Sequence, residues 1–203
     1  MVCAVNFIKT STSVAYFAIA LVILVAFVRA VFFGDVGVYD ENSLLENTQA
    51  VTLFFAFLMF LAPVVNSARR DRLLAAFFGM LALGFILREL DVERLNVPEF
   101  LILIGSGDGR NLLLAMGFLF ILVIALFNSR YYINLASCFL RARVGVTAML
   151  AGIFLVLGDM FEDIHVAHNM LFEESLELVG YAFFMAAASS LARREVRSDR
   201  FIR

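Results

Sequence analysis

The chain has 203 residues, 63% of them hydrophobic and 17% charged, with 16 basic and 18 acidic side chains for a formal net charge of -2. A mean hydropathy of +0.92, spread over repeated apolar runs of about 20 residues, excludes an ordinary soluble domain and fits a polytopic membrane protein. No nucleic-acid partner is expected from such a composition.

Six apolar segments follow one another at about 12–33, 48–66, 73–90, 112–128, 144–163 and 174–192. At about 1.5 Å per residue each is long enough to cross a hydrocarbon core of roughly 30 Å, the fourth at the short end. Backbone polar groups in lipid must be satisfied within the segment, and continuous rather than alternating apolar runs disfavour a β-barrel. The expected fold is therefore all-α: a single membrane domain formed by a six-transmembrane-helix bundle with both termini cytoplasmic. The first run, Ser13 to Phe33, is longer than a secretory h-region and reads as a retained span. Cys3 and Cys138 belong to no metal-binding or redox spacing and read as unpaired thiols.

An even number of crossings puts both termini on one face. Twelve of the 16 basic residues then fall on that face, among them Arg69, Arg70, Arg72, Arg130, Arg141, Arg143 and the tail over 193–203. The positive-inside rule makes this face cytoplasmic. The other face holds four basic residues against fifteen acids. Acids contribute little to topology, so their excess needs a separate reason.

In chain order, the second span opens with Glu46-Asn47-Thr48-Gln49, where Glu46 and Gln49 share a helix face. The third ends in Arg88-Glu89-Leu90-Asp91, whose acids oppose the helix dipole and need partners. Arg88 is suited to hold an anionic group in a guanidinium fork, or to pair locally with these acids. Residues 95–110 are too short to cross and form an interfacial outer loop, with Gly105-Ser106-Gly107-Asp108-Gly109 read as a loop or a weak anion nest. Tyr131, Tyr132, Arg141 and Arg143 suit a connection lying on anionic headgroups.

The densest chemistry lies in Gly158 to Tyr181, which carries both histidines of the chain and six acids in 24 residues. Glu162 and His165 have the Glu-x-x-His spacing that helical carboxylate metal sites use. Asp159, His168 and Glu177 complete the expected metal set, for a divalent ion such as zinc, manganese or iron. Asp91 or Glu174 would serve as catalytic base, with Arg88, Glu46, Gln49 and Tyr181 binding substrate. Glu177 lies about a turn inside the membrane, where an acid usually faces a cavity or a counter-ion, and Arg88 is the nearest candidate.

The patterns Glu46-x-x-Gln49, Arg88-Glu89-Leu90-Asp91 and Glu173-Glu174-x-Leu176-Glu177-Leu178-x-Gly180-Tyr181 resemble those of small bacterial multi-pass inner-membrane proteins. That resemblance covers most of the chain and implies the fold, but no activity. The leading expectation is a metal-dependent membrane hydrolase acting on a lipid-like substrate. Proton or cation transport through Glu46, Arg88 and Glu177 is the first alternative. The second is a non-catalytic subunit or assembly factor, its small residues packing a homo-oligomer or a membrane-complex partner; membrane lipids are partners in every case.

Overall fold

The computed structural model describes residues 2–38, 44–65, 71–90, 92, 97–162 and 168–193. Eight α-helices occur among them: α1 (Val2–Phe33), α2 (Leu44–Val65), α3 (Arg72–Glu89), α4 (Glu99–Gly105), α5 (Gly107–Phe127), α6 (Ser129–Arg141), α7 (Arg143–Glu162) and α8 (Asn169–Arg193). A short 3-10 turn, Val36–Val38, follows α1. The chain is thus all-helical among the described residues.

Five of these helices are long and apolar enough to cross a membrane: the Ser13–Phe33 part of α1, α2, α5, Arg143–Phe161 of α7, and α8. α3 falls outside this set although its interior is apolar. Its 18 residues begin with Arg72 and end in Arg88-Glu89, so the three charges lie at its ends. The helices also begin earlier than hydropathy alone predicts, α1 near residue 2, α2 at Leu44 and α8 at Asn169. Polar first turns such as Leu44-Leu45-Glu46-Asn47 are helical because a helix needs no apolar residues where its end meets water, and Glu46 there complements the dipole.

Of the interfacial segment expected over 95–110, the described part, 97–110, forms α4 and the first turn of α5, with a sharp corner at Ser106. Gly107 takes φ +49°, and a Cβ on Gly109 would lie 1.7 Å from the Leu103 carbonyl oxygen. The glycines therefore let two helices meet at a corner. α6 is strongly amphipathic, in keeping with a surface-lying connection.

α8 is the centre of the bundle. It packs against α7, α2 and α1, while α3 packs on α2 and α5. Of the candidate spans it is the most enclosed, and α5 buries none of its window within the chain. Large apolar side chains such as Leu119, Phe120 and Phe127 consequently point outward. In lipid such exposure costs nothing, and helices associate through close packing of small residues instead. α7 and α8 do this at Gly158 and Gly180. A Cβ on Gly180 would stand 3.0 Å from Leu155 Cγ and 3.1 Å from the Ala151 carbonyl oxygen, and one on Gly158 would stand 2.9 Å from Glu177 Cγ.

An aromatic layer fills the middle of the bundle. Phe60 of α2 lies 5.5 Å from Phe78 and 5.1 Å from Phe184, and Phe85 lies 5.9 Å from Phe184 and 5.7 Å from Tyr181. Tyr181 is its uppermost member, and its hydroxyl leads out of the layer into a polar cluster.

Candidate functional site

α2 and α8 start at the same end of the bundle, where α3, running antiparallel to both, finishes. That topology brings the first turns of α2 and α8 beside the last turn of α3. The side chains that meet there are Gln49 and Thr52 from α2, Arg88 and Glu89 from α3, and Glu174, Glu177 and Tyr181 from α8. Positions 174, 177, 178 and 181 share one face of α8 through the i, i+3 and i+4 spacings. Its apolar member, Leu178, is buried in the core.

Arg88 links two carboxylates. Its Nε donates to Glu89 Oε1 at 3.1 Å, and its Nη2 pairs with Glu177 Oε1. The Tyr181 hydroxyl donates to the same Glu89 oxygen at 2.7 Å. On the α2 side, Gln49 Nε2 donates to the Glu174 backbone carbonyl at 2.9 Å and to Glu174 Oε2 at 2.7 Å. The backbone carbonyl can only accept, so the nitrogen of the amide must face it and the oxygen must face away. That Gln49 Oε1 is buried and has no donor among the described residues, as is Ser175 Oγ.

Burial within the cluster is uneven. The Glu177 and Glu89 side chains are 5% and 7% exposed, whereas that of Arg88 is 47% exposed. Gln49 and Tyr181 are fully enclosed. Arg88 thus forms the rim of the site and the acids its interior. The Glu174 carboxylate lies within the field of both Glu177 and Glu89. Two of the three carboxyl groups, Glu89 and Glu177, share the Arg88 guanidinium, and Glu174 beside them is held by the Gln49 amide. An isolated buried charge is expensive, so a cluster of this stoichiometry favours a further positive charge or proton donor.

Below Tyr181 the polar character stops. The next polar side chain down the inward face of α8 is buried Ser189, which accepts from Arg193 Nη2 at 2.8 Å. Between the two lie buried Phe184, Met185, Ala187 and Ala188, over eight residues or about 12 Å of helix.

Of the residues singled out in sequence, Arg88, Gln49, Glu174, Glu177 and Tyr181 come together here. Glu46 lies one turn before Gln49 on α2 and is half-buried. Asp159 is exposed on α7 beside Gly158. His168 takes φ 62° just ahead of α8, where its carbonyl accepts from the Leu171 and Phe172 amides at 3.0 and 3.3 Å. Asp91, His165 and the side chain of Glu162 lie outside the described residues. Among the described residues no three His, Cys, Asp or Glu side chains form a group able to hold a metal ion. Glu89 is the member that sequence reasoning passed over as a local partner of Arg88. Its signal was the unfavourable acid at a helix C-terminus, which needed a donor from outside α3, and Tyr181 is that donor.

No known family, characterised protein or solved structure matches the chain. The reading of the site therefore rests on its geometry.

Proposed function

We propose that the chain is a six-span integral membrane protein of the bacterial inner membrane, carrying a one-sided cation-binding site at its outer end. In this arrangement α3 crosses as the sixth span, its charged ends lying at the two interfaces. The basic residues then gather on the cytoplasmic side and the acid cluster at the outer leaflet. The observation that carries the functional reading is the charge balance of the cluster: Glu89 and Glu177 on the single guanidinium of Arg88, with Glu174 beside them held only by the Gln49 amide. The acceptor Gln49 Oε1 adds to the demand for a donor. A divalent metal ion or a protonated amine meets that demand.

The apolar stretch below Tyr181 favours a site entered from one side over a relay through the bundle. A ligand would come from the lipid–water boundary past Arg88. Titration calorimetry of the purified protein with manganese(II), zinc(II) and ethylammonium tests the proposal. Saturable binding of one of them, abolished by Glu174→Gln, is the expected result; no saturable binding by any of the three ends it.

A second reading, metal-dependent hydrolysis of a lipid-like substrate, draws support from the exposure of Arg88. Its Nη1 has no partner among the described residues and is free to hold an anionic headgroup beside the acids. A metal held by Glu174 and Glu177 would activate a bound water, with the remaining carboxylate as base. Folded protein purified without stoichiometric metal would rule this reading out, while leaving amine binding to be decided by the titration.

A further inference from the structure

The opposite, basic end of the bundle carries a second feature, independent of the acid cluster. Residues of α2, α3, α5 and α6 line there a partly open cavity of about 530 Å³, within the range of a small-ligand site. Leu61, Ala76, Gly79, Gly117 and Phe120 form its apolar walls, and Arg72 and Tyr132 stand among its lining residues. Gly117 lets α3 and α5 approach closely, since a Cβ there would stand 2.3 Å from the end of the Met80 side chain, and Met80 and Gly117 both line the groove.

Arg72 is the first residue of α3 and is exposed. Among the described residues it makes no ion pair, and the Tyr132 hydroxyl makes no hydrogen bond. A cation and a hydroxyl at the mouth of an otherwise apolar slot form an amphipathic pattern. We propose that this groove binds an anionic phospholipid, one acyl chain lying between α2, α3 and α5 and the phosphate held by Arg72 and Tyr132. Guanidinium and phosphate form charge-assisted, geometrically matched hydrogen bonds, and basic pockets between membrane helices are suited to such headgroups.

Charge decides against the other occupants. An apolar helix from a second copy would cover Arg72 without supplying an anion, leaving a desolvated unpaired charge. The chain's own tail over 194–203 has four arginines and two acids, so it is repelled by this end.

The test is native mass spectrometry of the full chain released from nanodiscs of equal phosphatidylglycerol and phosphatidylcholine. The wild type should retain phosphatidylglycerol in preference. Arg72→Gln should lower that preference about fivefold, the effect of one surface arginine on an anionic lipid, while Arg130→Gln, at a residue that does not line the groove, should leave it unchanged. Ala76→Phe, which fills the slot, should lose both lipids. Equal losses from Arg72→Gln and Arg130→Gln would mean diffuse attraction and no site. A wild-type dimer that Ala76→Phe dissociates would show the groove to be an interface between copies. Should Ala76→Phe fail to fold, the two arginine variants decide the matter by themselves.

Discussion

Arg88 and Glu177 form one ion pair with two very different halves, because the guanidinium is half in water and the carboxylate is 5% exposed. Removing each partner should therefore have unequal consequences. Glu177→Gln leaves Arg88 hydrated and still paired with Glu89, so its cost is small. Arg88→Gln strands two enclosed carboxylates and should destabilise the fold by about 3–5 kcal/mol. Adding Glu177→Gln to Arg88→Gln should recover part of that loss. Chemical denaturation in detergent measures all three; equal effects of the two single variants would contradict the asymmetry. Tyr181 offers a narrower probe. Its ring packs on Phe85 and its hydroxyl donates to Glu89 at 2.7 Å, so Tyr181→Phe keeps the packing and deletes one hydrogen bond to an acid. A loss of about 1.5–3 kcal/mol is expected in the same assay.

Elements meet where side chains are missing. Gly180 brings α8 against the α7 backbone near Ala151, and Gly158 receives the stem of Glu177. Gly180→Val should force α7 and α8 apart and cost about 1–3 kcal/mol through overpacking, with the thermal unfolding midpoint falling accordingly. The same value for Gly152→Val, at a glycine with nothing within 4 Å of its Cβ, would show that helix propensity alone is responsible. These contacts also mark the limit of what the sequence discloses. Long apolar runs announce membrane helices because the bilayer sets their length, and every candidate span overlaps such a run. The pairing of Arg88 with Glu177 was legible as well, since a buried acid and a nearby cation need each other. Register between helices was not. Nothing in the local pattern ties Gln49 to Glu174, 125 positions away, because that contact depends on how α2 rotates against α8. Helix ends were equally obscure to hydropathy, which sees the polar turns of α2 and α8 as loops.

At the scale of the whole molecule, the question is how many times the chain crosses the bilayer, and α3 decides it. If α3 crosses, α4 lies outside and α6 in the cytoplasm, and the acid cluster faces out. If it does not, every element after it changes sides: α6 with its Arg130 and Arg141 would lie outside against the charge rule, and the first turns of α2 and α8, joined through Gln49 and Glu174, would be on opposite sides. Cys138 of α6 is a free, exposed thiol, and Glu99 at the start of α4 is exposed, so the two positions report on opposite ends of α5. A variant with Cys3→Ser leaves Cys138 as the sole thiol; a cysteine-free background with Glu99→Cys places the sole thiol on α4. Under the six-span arrangement a membrane-impermeant maleimide labels Cys138 only in inverted vesicles and the α4 cysteine only in spheroplasts. The reverse pattern would mean that the whole bundle is inverted, with the cluster opening to the cytoplasm. Labelling of both from the same side would mean that α5, the least enclosed of the candidate spans, does not cross.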